Sequence, residues 1–577
     1  MSTRPRGLRC APVARILCIL GLTTRAVAAQ DTAGVSIDFG GVSDRAVAVA
    51  GIPDSVLARA LAKFNDPVTL RAYGGAQINA PIGGTLGVHA GDARIASRVD
   101  GDVVIINGSL RLDSSAVITG EIIVLGGRFY PDPGARYRLP VVAYPERASV
   151  RRTGNATLEP TSPTPSLRDL AGRVSFQRGP LLVAPRLDFG VYNRVEGLPL
   201  LIGPAIAWQV RPGLTARLDA ELILRTAQDP SGARDDTGWR LRAVADLAGE
   251  RALRIGIEAG NEVVATADEP LRPAESSLAA LVLRRDHRDW LARRGTRAFV
   301  AWDARTGLTL EAGFGVARER SVPALDAFSI LRGGETWRAN PLVDDGRFTT
   351  VTAAVSWDTR DTPLTPRDGW WLRGGVQHTT SSELTPTLLP EQIRDPLPSD
   401  GYGAVEGWFD LRRYQRIDFR HAVHFRLAGE GWLGGDPLTV QRRHGLGGTD
   451  ELFAYPFRAV TCDVRRRPDP AQPALCDRRM VAQVELRRRF DIGISTRIGP
   501  YGLGIDQVDA VLLGDFGSAW LAGDGPGQVP AGRIQDIAEW RGMLGAGIDG
   551  GWFGLYLGQS VTDDEPLHFT FRLQRRF

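Results

Sequence analysis

The chain has 577 residues, too many for one hydrophobic core, so two or more folded units are expected. Its 43% hydrophobic residues and 67 glycines describe a folded, turn-rich protein and exclude a disordered one. The pI of about 9.0 is misleading: residues 1–28 hold five arginines and no acid, and the rest of the chain carries one more acid than base. That balance excludes the basic footprint of a nucleic-acid binder.

Residues 1–28 have the parts of an export signal: early arginines, the apolar core ILCILGL, and AVA before Ala29. No later stretch approaches the ~20 apolar residues of a membrane-spanning helix. In an oxidising compartment Cys462 and Cys476, which bracket a polar, proline-rich segment, are expected to form a disulfide rather than a metal site or redox pair.

After the signal, PDSVLARALAKFND (53–66) predicts one short helix. Then DVVIINGSLRLDSSAVITG (102–120) is followed by EIIVLGGRFYPDPGARYRL (121–139), with apolar runs and glycine corners in matching places. Such repeats predict solenoid rungs over 29–146, a plain β-meander being the alternative. The rungs resemble those of the bactofilin β-solenoid. Residues 147–172, rich in Thr, Pro and Ser, read as a linker.

From 173 to 577 no helix is expected. Many runs alternate apolar and polar residues, the signature of strands with two unlike faces. The chain ends on one, PLHFTFRLQRRF. A soluble edge strand could read the same way. In an exported chain, about 400 such residues ending on an aromatic predict an all-β, antiparallel transmembrane barrel of about 16 strands. In the last run Leu567, Phe569, Phe571, Leu573 and Phe577 would face lipid, and His568, Thr570, Arg572, Gln574 and Arg576 the lumen. Arg575 is the exception on the lipid side, where it would snorkel to headgroups; Arg488 is a second.

Several stretches resemble the BamA/TamA-like outer-membrane assembly and bacterial surface antigen superfamily. VSWDTRDTPLTPRDGWWLRGG is similar to its strand–turn–strand signature, here Asp358, Arg360, Asp361, Pro366 and Gly369. GLGGTDELFAYPF is similar to the start of its long sixth loop, here Gly447, Gly448, Leu452, Phe453, Ala454, Tyr455 and Arg458. VAQVELRRRF and LLGDFGSAW resemble the two following strands, and YNRVEGLPLLIGP the first strand of some relatives. The resemblance implies that the sixth loop folds into the lumen and that an arginine there meets carboxylates, here Glu485 and Asp515. Phe453 stands where that arginine should be. Because an unpaired buried carboxylate is costly, Arg458 is expected to substitute, or failing it a lumen arginine such as Arg487. The family's periplasmic client-receiving repeats are also missing.

No catalytic, cofactor or metal motif is present. His421 and His424, three apart on a strand, would point to opposite faces. Taken together, these readings predict a non-enzymatic protein of the bacterial outer membrane, with its N-terminal domain in the periplasm. Its expected partners are lipid and further outer-membrane or periplasmic proteins, not nucleic acid. Assembly or translocation of outer-membrane proteins is the expected role. The alternative is a pore, or an anchor displaying the solenoid.

Overall fold

The structure, a computed structural model, describes residues 54–160 and 176–576 apart from short stretches, the longest being 228–234, 361–365 and 466–471. The expected leader, Asp361, Gln574 and Phe577 lie outside the described residues.

The N-terminal part is a β-solenoid of about four turns. Its largest face stacks Leu70–Tyr73, Leu86–His89, Val103–Ile106, Ile122–Leu125 and Val142–Tyr144 in parallel. Val103 pairs with Ile122, and one residue earlier the Glu121 amide donates to the Asp102 carboxylate 19 residues back (2.7 Å). The coils meet at glycine corners. A Cβ on Gly108 would lie 1.9 Å from the Gly91 carbonyl oxygen, so no larger residue fits.

The runs VVII and IIVL are buried at every position, because both faces of this sheet are covered. Val103, Ile105, Ile122 and Val124 fill the solenoid interior. Val104, Ile106, Ile123 and Leu125 lie under helix α1 (Asp54–Asn65). Part of the stretch expected as a linker carries strand. Val150–Arg152 and Leu158–Pro160 form an antiparallel pair, and Leu158 is buried against the same cluster as α1.

The rest is one antiparallel sheet in sequence order. After a short first ladder, Phe176–Arg178, its strands are numbered β1 to β16. They are β1 Leu181–Phe189, β2 Pro199–Arg211, β3 Leu214–Arg225, β4 Thr237–Leu247, β5 Leu253–Ala265, β6 Trp290–Arg305, β7 Leu308–Ser321 and β8 Asp345–Asp358. Then come β9 Gly369–Thr385, β10 Tyr402–Arg416, β11 His421–Gly435, β12 Arg478–Ile498, β13 Tyr501–Trp520, β14 Arg541–Asp549, β15 Gly554–Ser560 and β16 His568–Arg572. Connections after odd strands are mostly long and those after even strands mostly short, so the sheet has a long-loop rim and a short-turn rim. Among the described residues no ladder joins the first strand to the last. At the short-turn rim the Arg416 guanidinium donates to the Tyr137 hydroxyl (2.5 Å), a contact between solenoid and barrel.

Alternation is strict where the sheet has two environments. On β12, Gln483, Glu485 and Arg487 are buried while Val484 and Leu486 are exposed. On β14 to β16 the exposed large apolar residues are Leu544, Ile548, Leu555, Leu557, Phe569 and Phe571. An outer face of Leu, Ile and Phe around a charged inner face is the inverse of a soluble protein and suits lipid.

Three expectations need correction. A helix, α2 (Pro273–Leu283), stands in the β5–β6 connection. Its Pro273 at the first helical position and Glu275, whose carboxylate accepts from the Arg272 amide (3.1 Å), are start signals the strand reading passed over. Tyr192–Leu198 of YNRVEGLPLLIGP is the β1–β2 connection, and strand begins only at Pro199. Finally, β16 ends at Arg572. Alternation cannot be extrapolated past a strand end, and Arg575 is buried inside rather than snorkelling to lipid.

Candidate functional site: the lumenal lock

Four carboxylates point inward from adjacent strands: Glu485 on β12, Asp509 and Asp515 on β13, and Asp549 on β14, all 2% exposed or less. Buried carboxylates need cations and donors. Arg487 is two residues from Glu485 on β12, hence on its face. It holds Glu485 (2.7 Å), Asp549 (2.8 Å) and Asp509 (3.6 Å). The other cations come from the C-terminal tail. Arg575 reaches Asp509 (2.8 Å) and Asp549 (3.6 Å). Arg576 ion-pairs with Asp515 and lies 3.5 Å from Glu485.

The tail therefore turns into the lumen. Before it does, Arg572 makes a two-pronged pair with Glu275 of α2, both contacts 3.1 Å, and the Leu573 amide donates to the same carboxylate (2.5 Å). A forked guanidinium matched to a carboxylate fixes orientation as well as charge.

The loop between β11 and β12 (436–477) enters the same space. Leu446, Leu452, Phe453, Ala454 and Tyr455 pack on Val511, Leu513, Met543 and Tyr556. Leu452 has a positive φ of 53°, and Gly447 and Gly448 have φ of 105° and 129°, backbone that lets the loop turn back on itself. The Tyr455 hydroxyl reaches Ser560 and Thr562 (2.7 Å each) and donates to Asp563 (2.9 Å), tying the loop to the end of β15. Phe453 lies under the Arg576 guanidinium, 5.1 Å from charge centre to ring centroid. The position lacking a cation thus receives one on its ring face. Glu451 in turn holds Arg426 (3.1 Å) and Arg479 (2.7 Å) of the wall.

Arg458 does not reach Glu485 or Asp515. It ion-pairs with Asp289 of the β5–β6 connection at the long-loop rim. The expectation treated five residues of chain as short reach, but Arg458 itself adopts a positive φ of 54° and the chain turns outward. At that rim buried Arg194, from the β1–β2 connection, meets Asp286 (2.9 Å), Asp289 (3.1 Å) and Asn340 (3.0 Å). Arg338 also pairs with Asp289 (2.7 Å). Burial opposes ionisation of Asp289, but Arg338, Arg458 and Arg194 outweigh it and hold its carboxyl well below the usual range. His287 packs edge-on to Phe457 (5.1 Å). Burial, then Arg338, pushes its pKa down to about 4. Four connections are tied into one cap.

Cys462 and Cys476 form the expected disulfide within the 436–477 loop, Cα–Cα 5.2 Å. At the short-turn rim Arg360 forks onto Asp358 (2.7 Å). Pro366 is buried, and Gly369 opens β9 at φ 114°, where a Cβ would lie 2.3 Å from the Thr359 carbonyl oxygen. The next residue but one before Gly369, Arg367, comes to 3.9 Å from Asp509, linking this turn to the lumen lattice. His421 bridges to Asp418 (2.8 Å) while His424 is fully buried beside Tyr414 (4.9 Å). Among the described residues no group of histidines, cysteines and carboxylates could hold a metal ion, and no helix is long and apolar enough to cross a membrane.

Arg576 was the functional residue missed as a partner. Its signal was present: Arg572, Arg575 and Arg576 crowd the chain end, while the inner face of β12 to β14 needs cations. The all-β architecture is that of a β-barrel joined to a β-solenoid. Among solved structures the chain is similar to BamA from Haemophilus ducreyi lacking POTRA domains 1–3 (11% identity, TM-score 0.39, 68% of this chain and 70% of that one). It is also similar to CdiB from Acinetobacter baumannii (11%, TM-score 0.29, 69% and 60%) and CdiB from Escherichia coli (11%, TM-score 0.28, 69% and 63%). No protein-family model and no curated protein matches it.

Proposed function

We propose that this is an outer-membrane barrel of the BamA/TamA-like type that assembles or translocates other polypeptides, its solenoid lying in the periplasm. One observation carries the reading. Among the described residues no ladder joins the β16 end of the sheet to its other end, where Phe176–Arg178 covers only Leu181–Val183 of β1, and the lumen beside that seam holds the barrel's own loop and tail, ion-paired to the wall. An unpaired strand edge is a template for another strand. A filled lumen is what a seam-working machine needs and a diffusion pore does not. The motifs around Asp358, Gly447 and Glu485 support the same reading.

The test is cellular. Depleting the protein should lower the levels of other outer-membrane barrels, and an Arg576→Ala chain should restore them less well than wild type. Unchanged levels on depletion would contradict an assembly role. A pore or solenoid anchor is the second reading. It is favoured by the charged inner positions of β1 to β4, where Arg186, Arg240 and Arg242 keep 21–25% of their side-chain surface exposed.

A further inference from the structure

Helix α2 touches the chain at both ends of the sheet, which no ladder joins among the described residues. Glu275, buried in its first turn, clasps Arg572 and the Leu573 amide at the end of β16. Two residues on, the Ser277 hydroxyl accepts from the amide of Tyr192 (3.0 Å), three residues past the end of β1. One turn of helix thus holds the last strand and the exit of the first.

From Leu278 to Leu283 α2 is apolar. Between Glu275 and Arg284 it carries no charge, reading SSLAALVL. One side packs through Ala280 and Leu281 on Tyr192, Ala327 and Trp337. The other exposes Leu278 (40%) and Leu283 (39%). The carbonyls of Leu281 and Val282 accept from the amides of Ile330 (2.9 Å) and Leu331 (3.2 Å). These bonds add Leu331 (67% exposed) and nearby Phe328 (60%) to the same surface. A helix on a water-washed rim presents charges outward, whereas one that is apolar all round is buried in protein or in lipid. At its C-terminal end Arg284 stacks on Trp337 (4.9 Å) and pairs with exposed Asp326, the amphipathic pairing found at membrane interfaces.

We propose that α2 is a lipid-facing wedge that fills the seam between β1 and β16, with Leu278, Leu283, Phe328 and Leu331 against acyl chains. Glu275 clasps the strand end immediately after Phe569 (63% exposed) and Phe571 (45%), which lie on the outer face of β16, opposite to inward-pointing Arg572, so the first turn of α2 sits beside that outer band. The helix takes the place that an incoming strand would need, so edge pairing at the seam requires α2 to leave. The inference rests on the barrel being membrane-embedded.

The experiment places single nitroxide labels on the full chain in phosphatidylcholine vesicles, with Cys10 and Cys18 changed to serine and Cys462–Cys476 left bonded. Sites are Leu278→Cys and Leu283→Cys, with Phe571→Cys as band control and Ile537→Cys, 83% exposed in the β13–β14 connection, as water control. Relaxation by oxygen is compared with relaxation by a water-soluble nickel chelate. Both α2 sites should match 571, with an oxygen-to-nickel ratio several-fold above 537. A ratio like that at 537 would overturn the wedge, as would shielding from both agents, which would mean a protein cover. If 571 itself reads as water-exposed, the membrane reading fails and the wedge with it. Should Leu278→Cys not fold, Leu283→Cys decides alone.

Discussion

Arg576 is the residue on which the lumen depends, because it closes two carboxylates and a ring at once. Its side chain is fully buried, so Arg576→Ala leaves Asp515 without this cation, a change worth ~3–5 kcal/mol. The midpoint of heat modifiability on gels should fall, and protease should reach the 436–477 loop sooner. Phe453→Arg alone should also destabilise, by placing like charge against Arg576. Combined with Arg576→Ala it should recover part of the loss, because the cation returns from the loop side. A double-mutant cycle with no coupling would refute the shared site. Arg458→Ala should instead loosen the rim cap around Asp289 and leave the lumen lattice intact. The cap also has a pH signature. His287 has a folded pKa of about 4 against ~6.5 for a free histidine, so the loosened state binds its proton more readily. Cap stability is full above about 6.5 and falls as pH drops towards 4. Asp289, held below the usual range by Arg338, Arg458 and Arg194, stays charged through that window. Protease access at the β5–β6 connection should therefore rise between pH 7.5 and 5, and His287→Phe should abolish the rise.

Elements whose two faces meet different media were legible in the sequence. Val484 and Leu486 face out and Glu485 and Arg487 face in because the period of a strand is two. The solenoid was legible through its repeat, since stacked coils need like residues at like places, as Val103 on Ile122 shows. What the sequence could not state was which distant cation meets which carboxylate. Arg576 and Asp515 are 61 residues apart, and no local period encodes that pairing. Helix α2 escaped because its Ala and Leu run is short and sits among strands; its Pro273 and Glu275 signals were readable but outweighed. The disulfide was legible from compartment and loop composition. Its loop spans 14 residues, which corresponds to about 3 kcal/mol against the unfolded chain. Since the bond lies within one connection, reduction should speed proteolysis between Val460 and Cys476 while shifting the heat-modifiability midpoint little. A large shift would mean that the loop, rather than the wall, holds the barrel together.

At the scale of the whole molecule the parts form one argument. The outer face is apolar and the inner face charged. Among the described residues no ladder joins the two ends of the sheet, and the loop, tail and α2 gather beside β16. The solenoid contributes at least one contact, Tyr137 to Arg416, at the opposite rim from the cap. On the proposed function the lumen holds the molecule closed rather than passing solutes. Single-channel conductance of the full chain in planar bilayers tests this most directly. The account predicts that wild type stays closed or shows only small, brief openings, and that Arg576→Ala opens more often as tail and loop lose their hold. A large, steady conductance in wild type, unchanged by Arg576→Ala, would contradict it.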